Sequence, residues 1–191
     1  MKHSVDWGVI KRINLLGGEP LLIKKSFDVL DQLLTVGNTD CLISFVTNGS
    51  VKLTDKQIEL FKKFRNISCC VSIDGIESSF DYIRYPLEWT DILKNIDHYR
   101  QVFSEVVVSF TVSNLNIHER SKIINWFNSN KLKYIENHVQ IPKYFSPGVQ
   151  PGHALWPDFI NHIRQQDTLK GISIDNYIPY VADLINGNPN A

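Results

Sequence analysis

The sequence is short of cysteine and of paired metal-ligand spacings, and it carries no excess of charge. Among 191 residues there are three cysteines, Cys41, Cys69 and Cys70. An odd number without metal-ligand spacing argues against a zinc site or a disulfide framework. Cys69 and Cys70 are adjacent, so on a strand they point to opposite faces and cannot readily grip one ion. All three are expected to be reduced, structural cysteines. The histidines, His3, His98, His118, His138, His153 and His162, show no paired ligand spacing either. His138 alone falls on an expected strand where it could face a pocket; the reading set against this is a structural or surface role. Lysine plus arginine equals aspartate plus glutamate at 20 each. That balance gives no nucleic-acid footprint and no basic face for an acidic membrane. No apolar run approaches the ~20 residues needed to cross a bilayer. Residues 1–7 lack the apolar stretch of a signal peptide, so a cytoplasmic location is expected. A glycine-rich phosphate loop of the P-loop or dinucleotide type is also missing.

What is present is ordinary globular composition, 43% hydrophobic and 21% charged, at a length that supports a substantial core. Short apolar runs at Ile13–Leu16, Cys41–Val46, Ile67–Ile73, Val106–Val112 and Asn137–Ile141 alternate with helical patterns. The first four are nearly continuous in apolar character, as expected of strands covered on both faces. The segments between them read as helices. Pro20 is placed to open the first, where a missing N–H costs nothing, and Phe27, Leu30, Leu33 and Leu34 form its apolar face. Thr54 with Gln57 three residues on has the form of a capping box. Trp89, Ile92, Leu93, Ile96, Tyr99 and Phe103 recur at helical spacing. A fourth helix is expected from Asn116, with Glu119 three residues later. After Pro142 the chain is rich in proline and glycine to residue 157, then returns to helical patterns near Asp158–Gln166 and Asn176–Ile185. Strand–helix alternation of this kind implies an α/β fold with a parallel sheet and right-handed crossovers.

In such folds chemistry collects beyond the carboxyl ends of the strands, and the distinctive residues fall there. Gly17-Gly18-Glu19-Pro20 follows the first strand and Thr47-Asn48-Gly49 the second. Ser72-Ile73-Asp74-Gly75 ends the third, and Asn114 follows the fourth. Each has a plainer reading as a turn, and Asn48-Gly49 and Asp74-Gly75 are hairpin dipeptides. A capped helix rather than a returning strand follows Asn48-Gly49, which weakens the hairpin reading. Taken together these groups would rim one pocket. Gly17 and Gly18 let backbone approach a ligand closely. Glu19 can accept from an ammonium group, Ser72 and Asp74 suit a ribose diol, and Arg84 can pair with a carboxylate. The set suits a ligand that is both amino acid and nucleoside.

In order and position these motifs resemble the signature series of radical S-adenosylmethionine (SAM) enzymes. The branch with peptide-modifying and sulfatase-maturing members, which carry SPASM or shortened twitch extensions, is the most similar. Asp81-Tyr82-Ile83-Arg84 and the stretch Val106–Asn114 also fit that branch. The resemblance covers roughly residues 10–145. It implies a partial (β/α)6 TIM-like barrel core over residues 1–145, lacking its first strand, with a short C-terminal loop and helical extension at 146–191. Carried over by position, Gly17, Gly18 and Glu19 would meet the methionyl amino group, and Ser72 and Asp74 the ribose or carboxylate. Asn114 would lie near the adenosine, Thr47 and Asn48 would shape the pocket floor, and Arg84 is a further candidate for the carboxylate. In the family a [4Fe–4S] cluster donates an electron to SAM, and the resulting 5′-deoxyadenosyl radical abstracts hydrogen from a peptide or small-molecule substrate.

The sequence departs from the family at one decisive place. The cluster is held by CxxxCxxC upstream of the GGEP-type motif, whereas here 16 residues precede Gly17 and none is cysteine. Three thiolates are needed to leave one iron open for SAM. The resemblance therefore implies an N-terminally truncated form, whose full-length parent would hold the cluster. The alternative is a non-catalytic SAM-binding or scaffold module degenerated from the family. An unrelated parallel α/β enzyme is the third reading. A barrel without its first strand would expose an edge near Ile13–Leu16, so self-association is expected.

Overall fold

A computed structural model describes residues 5–188. Its elements are β1 (Arg12–Leu15), α1 (Lys24–Thr35), β2 (Leu42–Thr47), α2 (Asp55–Phe61), β3 (Ile67–Ser72), α3 (Glu77–Ile83), α4 (Trp89–Val102), β4 (Glu105–Val112), α5 (Arg120–Ser129), β5 (Lys133–His138), α6 (Trp156–Lys170), α7 (Ile174–Tyr177) and α8 (Pro179–Ile185). The fold is α/β, and its five strands form one parallel sheet in chain order, β1-β2-β3-β4-β5. Asn14 lies opposite Ser44 and Phe45 opposite Cys69. The chain divides into two compact units, residues 1–72 with 92–108, and residues 73–91 with 109–191.

The first unit is built on an aromatic core. Phe45, Phe61 and Phe103 meet with ring centroids 5.1–6.1 Å apart across β2, α2 and the end of α4, and Tyr99 joins Phe103 at 5.6 Å. Each such pair contributes about 0.5–1.5 kcal/mol beyond the area it buries. Thr54 caps α2 as its spacing predicts. Its hydroxyl accepts from Gln57 N at 3.3 Å and the Gln57 side chain accepts from Thr54 N at 2.9 Å.

The second unit has its own apolar core. Phe159, Ile160 and Ile163 of α6, Ile174 and Ile178 around α7, and Val181 and Ala182 of α8 pack with Tyr82 and Leu115. Pro179 begins α8 at a helix-compatible φ, and Ile178, at φ −133°, breaks the helix expected over 176–185 into α7 and α8.

Four expectations need correction. The strands are not covered on both faces: burial alternates along β2 and β3, leaving Ser44, Val46, Ser68, Cys70 and Ser72 half-buried or exposed. An apolar run hid this period of two because cysteine and valine are tolerated on either face. The fifth strand lies at Lys133–His138 rather than Asn137–Ile141. Lys133, Glu136 and Asn137 interrupt its apolar signal, and Ile135 and Ile141 are exposed. Pro20 does not open α1. It is the second residue of a turn closed by Leu22 N donating to Glu19 O at 3.0 Å, and the helix begins at Lys24. Asn116 caps nothing: a 3-10 turn at Ile117–Glu119 leads into α5, and the Asn116 side chain is used elsewhere.

Candidate functional site

In the first unit the candidate residues gather at the carboxyl ends of β1, β2 and β3. Gly17 and Gly18 have φ of +90° and +56°, a left-handed path that any side chain would strain. This path turns Glu19 back, so that its Oε2 accepts from Asn48 N at 2.9 Å and its Oε1 from Leu21 N at 3.3 Å. The loop after β1 is therefore tied to the loop after β2 through one carboxylate. Thr47 is fully buried, and its Oγ1 accepts from Gly49 N at 3.0 Å. The Asn48 side chain accepts from Ser50 N at 2.9 Å, an Asx-type turn that shapes its own loop. Gly49 has φ +82°, and a Cβ there would lie 3.0 Å from Val71 Cγ1. Ser72 is half-buried at the end of β3, with no partner for its hydroxyl among the described residues.

Two residues that motif reading gave no role at the site hold this loop. Asn95 of α4 donates from Nδ2 to Gly49 O at 2.8 Å, and the Tyr99 hydroxyl donates to Val51 O. Burial, with the nearby Glu19 charge, pushes the Tyr99 phenol well up, so it stays a donor at any working pH. At helical spacing Tyr99 reads as another apolar-face residue; only its hydroxyl, which must find a partner when buried, could have signalled the second role.

The second unit brings Asp74 and Arg84 together. Asp74 Oδ2 pairs with Arg84 Nη2, and Asp74 Oδ1 accepts from Thr111 N at 2.9 Å. Both carboxylate oxygens are thus engaged within the protein. The Arg84 Nε is buried and unpartnered, so its N–H is a buried donor still unused. The residue that organises this point is Asn116, fully buried. Its Nδ2 donates to Asp74 O at 2.7 Å and to Thr111 O at 2.9 Å, and its Oδ1 accepts from Ser113 N at 2.8 Å. Asn114 is also buried, but it holds the turn at 143–145: its N–H donates to Phe145 O and its Nδ2 to Tyr144 O, at 3.0 and 2.9 Å. Its Oδ1 is buried without a partner. The stretch Asp81-Tyr82-Ile83-Arg84 divides its labour. Asp81 accepts from Trp89 N at 2.6 Å, capping α4, while Tyr82 donates to Asp167 at 2.6 Å.

No three His, Cys, Asp or Glu side chains among the described residues could together hold a metal ion. Cys41 and Cys69 are buried and Cys70 is half-buried, all three are free thiols, and burial pushes each thiol up. Cys69 and Cys70 lie on opposite faces of β3 and no third ligand gathers with either among the described residues, so these residues do not fit an iron–sulfur cluster. For SAM the donor set is more favourable: the unpartnered Asn114 Oδ1 and Arg84 Nε are the kind of buried polar groups that a polar ligand satisfies. His138 is exposed and bonded to Glu136 at 3.1 Å, and Trp89 packs on Trp126 with centroids 5.0 Å apart. A cavity of about 620 Å³ is lined by other residues, among them Phe27 and Leu60, and a small one of about 120 Å³ by Tyr82, Leu115 and His162.

No protein-family model matches the sequence, and no curated protein matches it by sequence. Solved structures do match the fold. Native anSMEcpe with bound AdoMet and Cp18Cys peptide superposes with a TM-score of 0.56 at 16% identity, over 93% of this chain and 48% of that one. Streptococcus suis SuiB bound to S-adenosylmethionine gives 0.53 at 14%, over 93% and 37%. TYW1 with a lysine-pyruvate adduct bound gives 0.51 at 14%, over 83% and 50%. This chain spans half or less of the length of each. These neighbours are radical SAM enzymes, and at such low identity the likeness establishes one thing about this chain: its fold is radical SAM-like.

Proposed function

We propose that this chain binds S-adenosylmethionine as part of a radical SAM enzyme acting on a peptide or small molecule. The observation that carries the reading is the placement of Gly17-Gly18-Glu19, Thr47-Asn48 and Ser72 at the carboxyl ends of three consecutive strands, where parallel α/β folds put their ligands. Glu19 keeps lone pairs free beyond its two backbone contacts, so it can take the methionyl ammonium while its loop stays fixed. The Ser72 hydroxyl is available to a ribose or carboxylate oxygen. Within the second unit alone, Asn114 Oδ1 is a buried acceptor and Arg84 Nε–H a buried donor without protein partners. Asp74 is the weakest of the nine, since its charge is already met by the Arg84 guanidinium, whereas Glu19 faces only neutral backbone N–H donors. The neighbours with bound AdoMet support the SAM assignment, and the Cp18Cys peptide in one of them supports a peptide substrate. The partial barrel lacking its first strand, the SPASM or twitch branch, the cytoplasmic location and the exposed edge remain part of this proposal. Among the described residues no helix is long and apolar enough to cross a membrane.

The alternative is a non-catalytic SAM-binding or scaffold module. The cysteines that do not fit a cluster and the engaged Asp74 favour it. Titration calorimetry of the chain with SAM tests the proposal. Saturable binding that Glu19→Ala weakens at least tenfold supports SAM binding; no heat with the folded chain overturns it and leaves the scaffold reading. The tenfold figure is the roughly 1.5–3 kcal/mol of a hydrogen bond to a charged group.

A further inference from the structure

Helix α6 carries His162, Gln166 and Lys170 at i, i+4 and i+8, one stripe on a single face. That stripe lines a cavity of about 120 Å³, whose other walls are Tyr82, Ile83, Leu115, Phe145 and Ile163. One wall is thus polar and basic, and the rest is apolar. Nothing in the SAM reading uses this cavity.

Lys170 is the unusual member. Its Nζ donates to Tyr82 O at 2.8 Å and sits 4.1 Å from the centroid of the Tyr82 ring. No carboxylate pairs with it among the described residues. The nearest acid in sequence is already committed: Asp167 accepts from the Tyr82 hydroxyl at 2.6 Å on Oδ1 and from Ile174 N at 3.0 Å on Oδ2. Desolvating an ammonium costs free energy that a counter-charge offsets. Burial pulls Lys170 below the ordinary ammonium range, with only partial relief from the Asp167 charge. His162 has Nδ1 on the Tyr144 hydroxyl at 3.3 Å, which leaves Nε2 without a protein partner among the described residues. The Gln166 amide likewise has no protein partner there.

We infer that this cavity is a binding site for a small monocarboxylate, whose charged head meets Lys170 and the Gln166 amide and whose short apolar tail lies against Leu115, Ile163 and Phe145. Size sets the class. At about 30 Å³ per water the cavity holds roughly four waters, which suits a ligand of about four to six non-hydrogen atoms such as acetate or propionate. At about 1.5 kcal/mol per non-hydrogen atom as a ceiling, millimolar affinity, about 4 kcal/mol, is well within reach of a ligand this small. The apolar walls disfavour phosphate, which has no surface to lay against them.

The test is a titration of the ¹⁵N-labelled chain with sodium propionate, with sodium chloride and sodium phosphate as controls at equal ionic strength. Expected are saturable shifts of the Gln166 side-chain amide and the Leu115 backbone amide with propionate, absent with both controls. Gln166→Leu fills the space and removes the amide while leaving both contacts of Lys170 in place, and it lowers affinity at least tenfold. Lys170→Met does the same, and if that variant fails to fold, Gln166→Leu decides. Shifts that do not saturate, that appear equally with chloride or phosphate, or that survive Gln166→Leu overturn the inference. None of these outcomes depends on whether the chain binds SAM.

Discussion

Replacing Asn116 with alanine separates the two asparagines that follow β4. Asn116 is 0% exposed and makes three hydrogen bonds to backbone, two as donor to Asp74 O and Thr111 O and one as acceptor from Ser113 N. Truncation leaves the Ser113 N–H buried without an acceptor, a cost of about 1–3 kcal/mol. The two carbonyls lose a donor each, at about 0.5–1 kcal/mol apiece, because a carbonyl with two lone pairs tolerates under-satisfaction better. The sum is about 3 kcal/mol. Asn114→Ala is the internal control. Asn114 is 4% exposed, yet its side chain makes one hydrogen bond, to Tyr144 O, and its Oδ1 is already unpartnered. Removing that orphaned acceptor offsets part of the loss, so the expected cost is about 1 kcal/mol. Both variants lose the same atoms at neighbouring buried positions, which makes the difference between them a measure of the hydrogen-bond network.

The assay is equilibrium urea unfolding followed by circular dichroism, with ΔΔG read from midpoint shifts at constant m. Amide exchange adds a local readout: Ser113 N–H is expected to lose protection in Asn116→Ala and keep it in Asn114→Ala. If Asn114→Ala costs as much as Asn116→Ala or more, Asn116 is not the organiser of this strand end.

Two other predictions follow from the geometry. Gly75→Ala places a Cβ 2.8 Å from Phe80 N and 2.9 Å from Ser79 C and Oγ, where Ser79 already bonds Ile76 N and O, so it is expected to cost more than about 3 kcal/mol. Gly17→Ala meets nothing within 4 Å and carries only the strain of φ +90°, about 1 kcal/mol; equal melting temperatures for the two variants would refute the close-packing argument. Burial lowers both His118 and His162 from the ordinary 6.5. The unfolded chain then binds more protons than the folded one, so stability is full above about pH 6.5 and falls as pH drops through the lowered folded values. The urea midpoint should decline from pH 7 to pH 5, and the His118→Gln/His162→Gln double variant should flatten that decline; an unchanged slope would show that other groups carry it.

The order of the strands and of most helices was legible because α/β alternation leaves a coarse signature that survives local errors, whereas the short α3 at Glu77–Ile83 was not expected. Thr54 with Gln57 could be read as a cap because both halves of the capping box lie within four residues and need no tertiary context. The same logic failed at Asn116 with Glu119. The spacing was right, but the asparagine side chain found better partners in Asp74 and Thr111, which only the folded sheet brings near. Pro20 failed for a related reason. Proline suits the first turn of a helix and the second position of a β-turn equally well at the level of φ, and the Glu19 contacts decided for the turn.

The site shows the same division more sharply. Glycines with positive φ were readable, because the backbone constraint sits in the residue itself. The polar residues were readable by type and not by task. Glu19, Asn48 and Asp74 are the groups a ligand for a charged nucleoside–amino acid would want, yet in the structure each spends hydrogen bonds on backbone first. This follows from where they lie. The carboxyl end of a parallel strand leaves N–H groups without ladder partners, and the nearest carboxylate or amide is drawn to them. A residue there is both a loop fastener and a ligand candidate, and the lone pairs and charge left over decide which it can still be. By lone pairs alone Glu19 and Asp74 are equal, each accepting one bond per oxygen, and charge separates them: Asp74 already faces the Arg84 guanidinium, whereas Glu19 faces only backbone N–H groups and keeps its charge for a ligand cation.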